Sequence, residues 1–319
     1  MKVCAIGGGT GLSTLLRGLK RFSELRVTAV VTITDEGGSS GVFREEMNIP
    51  PPGDIRNNIV ALAEDENLLT KTIRFRFEDG NTFRNHSVGN IVLAALTRIL
   101  GSFPEAVKNL SDVLAIQGRV LPVSGELVRL VAQTEEGGTL VGENAFASNS
   151  SRIVSLQTRP VFSPLPEVLQ ALEEADGIVL GPGSLYTSVL PNLLARDVCR
   201  VINANPAPKV YIANIMTQPG ETNGFTLSDH VREICRYLQG TLQFVVANSR
   251  KIPPELVTRY AQKGAIPVEL DMDKVEVPVF AEPCLAFEVD ERDHLKKIRH
   301  DSQRLGELVY RLLKWREKP

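Results

Sequence analysis

The opening stretch CAIGGGTGLSTLLRGLKRF, residues 4–22, limits the fold more than any other part of the sequence. A short apolar run, Lys2–Ile6, leads into the glycine run GGGTG. Apolar residues at helical spacing then predict a helix over Leu12–Arg21, and a second apolar run, Arg26–Ile33, predicts another strand. Strand, loop, helix and strand in this order indicate two parallel strands joined by a crossover helix.

The rest of the chain continues this alternation of strands and helices. The β-rich run Val120–Gln157 interrupts it with a hairpin around EEGG and is too short for a core of its own. We therefore predict an α/β, Rossmann-like three-layer fold with a mainly parallel sheet and an antiparallel β insertion at about 120–157, in a single domain of residues 1–319. The same patterns predict a strand at Arg200–Asn203 and one long amphipathic helix over 292–318.

Composition excludes several classes of protein. The 319 residues carry a net charge of −2, so a general nucleic-acid binder is not expected. Four cysteines lack CxxC spacing, which argues against a zinc knuckle. No apolar run reaches the roughly 20 residues of a membrane span, and no signal-peptide pattern is present, so we predict a cytosolic protein. The apolar face of LGELVYRLLKW predicts either core packing or a homo-oligomer contact.

The first glycine run predicts a phosphate site. Glycine lets the backbone approach a ligand, and a helix N-terminus offers free N–H groups to an anion. The candidate residues are Gly8, Gly9, Thr10 and Gly11. Leu12 stands where the dinucleotide fingerprint GxGxxG has its last glycine, and no Walker A lysine follows. A tight turn with nothing bound remains the alternative.

Small and polar residues follow the second strand. Asp35 and Glu36 are expected at its carboxyl end, where a carboxylate can accept from a ribose hydroxyl or hold Mg²⁺. Gly38, Ser39 and Ser40 add flexible backbone and two hydroxyl groups. The alternative is a solvated acidic loop.

Two further segments begin predicted helices with polar residues. In PPPGDIRNN, Asp54 is either a helix N-cap or a ligand group, Arg56 is a candidate anion clamp, and Asn57 could contact a base or sugar. In HSVGN, Ser87 is the expected N-cap, and His86, Ser87 and Asn90 are candidate ligand contacts. A structural role for His86 is the competing interpretation.

A second glycine loop, GPGSLYTS, repeats the pattern of the first after a buried strand. It predicts another anion-binding helix start, with Gly181, Gly183, Ser184 and Thr187 as candidate contacts. Tyr260 is a candidate stacking surface for a base, and Arg299 is a candidate phosphate clamp. Both of these residues have packing or plain surface exposure as the alternative.

Seven segments in order along the chain resemble the bacterial gluconeogenesis factor family. They are GGGTGLSTLLRGLK, TDEGGSSG, PPGDIRNN, HSVGN, LPVSGELVRL, GPGSLYTSVLPNLL and NIMTQPGETNGF. The family is more remotely similar to 2-phospho-L-lactate transferases. Glu36 stands where the closer group has a second Asp, and Asn85 stands where Gly is expected.

The resemblance implies a cytosolic, Rossmann-like protein that binds UDP-sugars and is needed for cell shape and for growth on gluconeogenic carbon sources. Occupancy of the site would signal to cell-wall synthesis or signalling proteins. A second class remains open, a Mg²⁺-dependent transferase in which Asp35 and Glu36 hold the metal. An NAD-type dinucleotide binder is a third alternative. A non-catalytic nucleotide-binding regulator is favoured.

Overall fold

A computed structural model describes residues 1–64, 67–78, 84–289 and 295–315. Its strands are β1 (Lys2–Gly7), β2 (Arg26–Val31), β3 (Arg119–Pro122), β4 (Arg129–Thr134), β5 (Thr139–Val141), β6 (Ile153–Arg159), β7 (Gly177–Leu180), β8 (Lys209–Ile212), β9 (Phe244–Asn248), β10 (Val279–Glu282), β11 (Leu285–Val289) and β12 (Lys296–His300). Seven of them form one parallel sheet in the order β10-β9-β8-β7-β1-β2-β3. The predicted α/β, mainly parallel fold is confirmed.

Helices flank this sheet. They are α1 (Gly9–Leu19), α2 (Gly38–Met47), α3 (Gly53–Leu62), α4 (Leu68–Arg74), α5 (Val88–Leu100), α6 (Phe103–Val113), α7 (Glu143–Phe146), α8 (Pro166–Glu173), α9 (Leu190–Leu193), α10 (Val198–Ala204), α11 (Leu227–Leu238), α12 (Pro254–Ala261) and α13 (Ser302–Leu313). A π-helical turn, Leu185–Val189, precedes α9, and a 3₁₀ turn lies at Met272–Lys274. Within the described residues, no helix is long and apolar enough to span a membrane.

The order of the strands reverses beside β1. The chain runs outward from β1 through β2 and β3 on one side, and through β7, β8, β9 and β10 on the other. Strands β7 and β8 are buried along their whole length, as expected for the middle of a parallel sheet covered on both faces. A crevice at the carboxyl ends of β1 and β7 is the place where such folds bind ligands.

Glycine allows α1 and α13 to pack closely. A Cβ on Gly18 would lie 2.0 Å from the carbonyl oxygen of Ser302 and 3.0 Å from the Cα of Gly306. The apolar side of α13, including Leu305 and Leu308, is buried in the core. The apolar pattern of this segment is therefore explained by core packing.

The β insertion is present but begins later than predicted. A separate antiparallel sheet has the order β5-β4-β6, whereas residues 120–122 belong to β3 at the edge of the parallel sheet. Buried residues of the insertion, such as Leu130 and Leu156, join the same apolar cluster as the main sheet. That the chain forms a single domain stays a prediction.

Three predictions of secondary structure were wrong. Residues 200–203 lie in α10, whose buried Val198, Val201 and Ile202 follow helical spacing rather than strand alternation. The long C-terminal helix is instead β12 followed by α13, because Asp301 caps α13 by accepting from the Arg304 amide. Its predicted ends, 292–294 and 316–318, lie outside the described residues. The segment from Gly38 begins α2 rather than a flexible loop.

Candidate functional site

A cleft of about 650 Å³ lies at the carboxyl ends of β1, β2, β7 and β8. Most of the predicted site residues line it: Gly8, Gly9, Thr10, Gly11, Asp35, Gly38, Ser39, Ser40, Asp54, Arg56, Asn57, Asn90, Gly183, Ser184, Thr187, Tyr260 and Arg299. Four predicted residues do not line it, namely Glu36, His86, Ser87 and Gly181. The parallel sheet thus brings together segments that are far apart in sequence.

The start of α1 is open to the cleft. Its first intrahelical hydrogen bond runs from the Leu12 amide to the Gly8 carbonyl at 3.4 Å, so the amides of Gly9, Thr10 and Gly11 precede the helical ladder. Gly9 has φ of +61°, and a Cβ there would find its nearest neighbours 3.9 Å away. The backbone at Gly9 can therefore meet a ligand directly.

The neighbouring glycines serve packing instead. A Cβ on Gly8 would lie 2.6 Å from Oδ2 of Asp54, and one on Gly11 would lie 2.5 Å from the Pro182 carbonyl. Gly11 thus lets the first glycine loop rest on the second. Of these glycines, Gly9 is the one at which a side chain would point into the open cleft rather than into other protein atoms.

The second glycine loop is bonded to its own surroundings. The amide of Gly183 donates to Oδ1 of Asn214 at 3.4 Å, and the Ser184 hydroxyl donates to Gln218 at 2.5 Å. Buried Glu221 accepts from the amide of Tyr186 at 3.0 Å and from the hydroxyl of Thr187 at 3.0 Å. The helix start predicted to bind an anion is therefore capped by a carboxylate of the chain itself.

Burial affects this carboxylate strongly. It raises the pKa of Glu221 to about 7, against the lowering effect of the hydrogen bonds from Thr187 and Tyr186. Nothing in the sequence pattern indicated that Glu221 would cap the second helix start.

Three carboxylates approach the other side of the cleft. Burial, followed by the negative charge of Asp35, raises the pKa of Glu143 to about 8, and Asp54 adds to the effect. Glu143 lies in α7, between β5 and β6 of the β insertion, and its Oε2 accepts from the Glu36 amide at 3.0 Å. No pattern in the sequence indicated a role for Glu143, because its position depends on how the insertion folds back on the sheet.

Glu36 faces away from the cleft. Its Oε1 lies 3.8 Å from Nε of Arg44 and 3.5 Å from Nε of Arg129. Arg44 is buried, so Glu36 compensates its charge. The prediction that Glu36 joins Asp35 as a metal ligand does not agree with this position. Asp35 remains at the cleft.

Hydrogen bonds fix the Ser39–Ser40 segment against two helices. Ser39 Oγ lies 3.0 Å from Nδ1 of His86 and accepts from the Asn90 amide group at 3.2 Å. Ser40 Oγ accepts from the Gly53 amide at 3.0 Å. His86 therefore positions Ser39 from behind the cleft wall and does not line the cleft itself.

Two predicted capping roles have different outcomes. Ser87 is the N-cap of α5 and accepts from the Asn90 amide, as expected. Asp54 is not a cap, because α3 begins at Gly53 without a capping side chain and Asp54 lies in its first turn. Its carboxylate instead approaches Gly8 and Gly9.

Another wall of the cleft comes from α12 and β12. Tyr260 lines the cleft, and its hydroxyl accepts from the Ile298 amide at 3.0 Å, which holds β12 in place. Arg299 and His300 follow on the same strand. Burial lowers the pKa of His300 to about 4, so this side chain is neutral at pH 7. His300 was missed because its segment was predicted to be helical.

Known proteins agree with this architecture. The family model described as 2-phospho-L-lactate transferase CofD matches residues 3–285. A putative gluconeogenesis factor of Thermotoga maritima is 51% identical over 315 residues, which cover 99% of this chain and 100% of the relative. The gluconeogenesis factor of Bacillus subtilis is 42% identical and covers 98% of each chain. The chain belongs to the CofD-like gluconeogenesis factor family. This confirms the resemblance noted in the sequence.

A solved structure gives the same result for the fold. The crystal structure of a UPF0052 family protein from Bacillus halodurans is 41% identical, with a TM-score of 0.90 over 97% of this chain and 98% of the other. The chain therefore shares its α/β fold with this solved relative.

Proposed function

We propose that this member of the family binds a nucleotide sugar, with a UDP-sugar as the expected ligand, and acts through binding rather than catalysis. The observation that carries the proposal is the open start of α1, where the Gly9 backbone faces a cleft of about 650 Å³. A helix N-terminus with free amides favours the negative charge of a diphosphate. The cleft is also large enough for a molecule of this kind.

The cleft offers a group for each part of such a ligand. The amides of Gly9 and Thr10 would hold the diphosphate, and Arg56 and Arg299 would add cationic donors. Asp35 would accept from a ribose hydroxyl. Tyr260 offers an aromatic ring for a base, and its bond to Ile298 fixes the ring.

The proposed cellular role is the one that membership of the family implies. Occupancy of the cleft would report the supply of a cell-wall precursor in the cytosol, and the occupied protein would act on cell-wall synthesis or signalling proteins. That role would account for an effect on cell shape and on growth with gluconeogenic carbon sources. A homo-oligomer is compatible with it.

Calorimetry tests the binding proposal. UDP-N-acetylglucosamine is titrated into the wild-type protein, with UDP, N-acetylglucosamine 1-phosphate and NAD⁺ as comparison ligands. We expect the nucleotide sugar to bind more tightly than either half. Tyr260→Ala should weaken binding by about 10-fold through loss of stacking, whereas Tyr260→Phe should retain it. Equal affinities of the two Tyr260 variants for the ligand would show that the base does not stack on Tyr260.

A second function has one specific observation in its favour. Glu143, with a pKa of about 8, lies where Asp35 and Asp54 meet the cleft. A general base works best when its pKa is near the working pH. Among the described residues no group of three or more His, Cys, Asp or Glu side chains is arranged to hold a metal. However, Mg²⁺ is commonly bound by one or two carboxylates plus phosphates of the substrate.

In this transferase hypothesis, Asp35 and Asp54 would hold Mg²⁺, which when bound neutralises charge on phosphate oxygens. An acceptor hydroxyl forms a bond to the phosphorus distal to the nucleoside, and the P–O–P bond breaks. The nucleoside monophosphate leaves, and the hydroxyl proton passes to the Glu143 carboxylate.

Nucleotide release measures the transferase activity. The protein is incubated with Mg²⁺, nucleoside-diphosphate-activated donors and candidate alcohols. Release should rise with pH through about 8 in the wild type and should be lost in Glu143→Gln. No release with any donor and acceptor would eliminate the transferase and leave the binding function standing.

A further inference from the structure

The segment GGSSG, residues 37–41, places a serine between glycines in the pattern G-x-S-x-G. In serine hydrolases this pattern holds the nucleophile at a turn that leads from a strand into a helix. Ser39 has a comparable position, because a loop follows β2 and α2 begins at Gly38. The glycines suit such a turn, since Gly38 has φ of +46° and a Cβ on Gly41 would lie 2.5 Å from the Glu36 carbonyl oxygen.

The Ser39 hydroxyl lies against a histidine and a side-chain amide. Its Oγ is 3.0 Å from Nδ1 of His86 and accepts from the Asn90 amide group at 3.2 Å. Because this acceptor role leaves the hydroxyl proton free, the proton can pass to Nδ1 of a neutral His86. A serine and a base within hydrogen-bond reach are the two groups that nucleophilic catalysis needs. Ser39 lines the cleft, and His86 lies behind it, so the serine is the member of the pair that a substrate can reach.

The start of α2 offers donors for negative charge beside this hydroxyl. The amides of Ser40 and Gly41 donate to the Gly37 carbonyl at 3.1 Å and 3.3 Å. The amides of Gly38 and Ser39 precede them and have no hydrogen-bond acceptor among the residues that the structure describes. A Cβ on Gly38 would find no atom within 4 Å, so the space beside these two amides is open. Amides placed in this way can stabilise the oxygen anion of a tetrahedral intermediate.

Asn90 gives an independent indication that a ligand reaches this part of the cleft. It is 1% exposed and lines the cleft, and its Oδ1 has no hydrogen-bond donor within the described part of the chain. A buried acceptor without a donor costs about 1–3 kcal/mol, which a bound hydroxyl or N–H group would recover. The nitrogen of the same amide group is bonded to Ser39, so the donor of the ligand would lie near the serine.

We propose that Ser39 is a nucleophile for acyl transfer and that His86 is its general base, with an ester of a hydroxyl-rich alcohol such as a sugar as the substrate. A hydroxyl of that alcohol would donate to Oδ1 of Asn90. An attacked carbonyl group develops charge on one oxygen, which the two open amides of α2 can bind. A transferred phosphoryl group carries charge on three oxygens and needs cations, whereas Arg44, the arginine of α2, is buried and paired with Glu36.

The reaction has two steps. In the first, Ser39 Oγ bonds to the carbonyl carbon, the hydroxyl proton passes to Nδ1 of His86, and the ester C–O bond breaks as the alcohol leaves with that proton. In the second, water bonds to the carbonyl carbon of acyl-Ser39 and gives a proton to His86, which returns it to Ser39 Oγ as the carboxylic acid leaves. This activity goes beyond the ligand binding proposed above and does not depend on which nucleotide the cleft binds.

A fluorophosphonate probe tests the nucleophile, because it reacts with activated serines. A P–O bond to Ser39 forms, the P–F bond breaks, and fluoride leaves while the hydroxyl proton passes to His86. Wild type is incubated with the probe at neutral pH, and mass spectrometry of its peptides locates the label. Ser39→Ala removes the nucleophile, and His86→Asn keeps a hydrogen-bonding side chain that cannot act as a base. Ser111→Ala is the matched control, since Ser111 is similarly buried on α6 and lies outside the cleft.

We expect a label on Ser39 in wild type and in Ser111→Ala at the same rate, and no label on Ser39→Ala. The rate should fall at least about 100-fold in His86→Asn, because the general base is lost. Wild type without a label, or a label that persists in Ser39→Ala, would overturn the proposal. Equal rates for wild type and His86→Asn would also overturn it. Thermal unfolding checks the fold of each variant, and labelling of wild type decides even where a variant does not fold.

An acyl substrate tests the class of reaction. Wild type should release nitrophenol from p-nitrophenyl acetate at least about 100-fold faster than Ser39→Ala, and equal rates would rule out acyl transfer. Calorimetry with UDP-N-acetylglucosamine on the same wild-type sample tests the nucleotide-sugar function separately. Failure of that ligand to bind would reject the nucleotide-sugar function and leave the labelling result for Ser39 unaffected.

Discussion

Two glycine loops, GGGTG after β1 and GPGS after β7, lie side by side at the switch point of the sheet. The sequence pattern predicts an anion site at each loop, since each loop follows a buried strand and precedes a helical turn. Of the two loops, the first has backbone amides that face the cleft, at Gly9. The amides and hydroxyls of the second loop donate hydrogen bonds to Asn214, Gln218 and Glu221.

The difference shows what makes a helix start a ligand site. The dipole and the unpaired amides exist at both loops, but an acceptor from the loop after β8 satisfies one of them. Buried Glu221 bonds to the amide and hydroxyl that a phosphate would otherwise take. A motif therefore predicts an anion site only where no other part of the chain supplies the anion.

The largest effect should come from charge at the open loop. Gly9→Asp places a carboxylate at the amides that would hold the diphosphate, so we expect UDP-N-acetylglucosamine affinity to fall at least about 100-fold, or ~2.7 kcal/mol. A non-glycine residue with φ near +60° also costs about 1 kcal/mol of folding stability. Calorimetry gives the first quantity and thermal unfolding the second.

Gly9→Asn separates charge from strain in that experiment. It has nearly the same shape as Asp and tolerates the left-handed region, but carries no charge. Gly224→Asp is the control outside the cleft. Gly224 has φ of +69° and nothing within 4 Å of an added Cβ, so this variant measures how the same backbone strain and added charge affect stability and binding. If Gly9→Asn weakened binding as much as Gly9→Asp, the open loop would owe its effect to steric blocking rather than to anion recognition.

At the capped loop, the expected effect is on stability and depends on pH. Glu221 has a folded pKa of about 7, above its ordinary value of 4.5. The folded state therefore holds more protons than the unfolded state between these values, so the Glu221 contribution to stability is complete below pH 4.5 and is lost as pH rises to 7. The free energy of unfolding should fall by up to about 3 kcal/mol over this pH range. Glu221→Gln should abolish this pH-dependent fall.

Denaturant unfolding at pH 5 and pH 8.5 measures this loss. Glu221→Gln should gain stability relative to wild type between these two pH values, while its UDP-sugar affinity at pH 7 stays within threefold. Glu143→Gln is the companion variant, and its relative gain should extend to about pH 8. A pH profile of Glu221→Gln parallel to wild type would show that Glu221 keeps its ordinary pKa when folded.

The sequence predicted the parallel sheet because strand and helix patterns alternate at its start and again after the β insertion. It failed where the pattern was ambiguous. Residues 200–203 are β-branched and apolar enough for a strand, but the spacing of Val198, Val201 and Ile202 decides for α10. Strand β12 was lost because KKIRH reads equally well as the polar start of the helix that follows.

Most of the residues predicted for the site line the cleft. Many of them follow β1, β2 and β7, because parallel strands bring their carboxyl ends to one edge of the sheet. Glu143 and His300 were missed, since Glu143 lies on α7 inside the antiparallel insertion and His300 lies on antiparallel strand β12, and the placement of both depends on tertiary packing. Glu36 was assigned to a metal because nothing local shows that Arg129 returns to pair with it.

The smallest effects should come from the hydroxyls at the two helix starts, and they should be opposite in kind. Ser184 donates to Gln218 at 2.5 Å, so Ser184→Ala should cost about 1 kcal/mol of stability and change UDP-sugar affinity less than threefold. Thr10 is exposed at the open start of α1, so Thr10→Ala should leave stability unchanged and weaken the same ligand about fivefold. Calorimetry and thermal unfolding on both variants give the four numbers. If Ser184→Ala weakened binding as much as Thr10→Ala, the bond to Gln218 would have to open when the ligand binds, and the second loop would be an anion site after all.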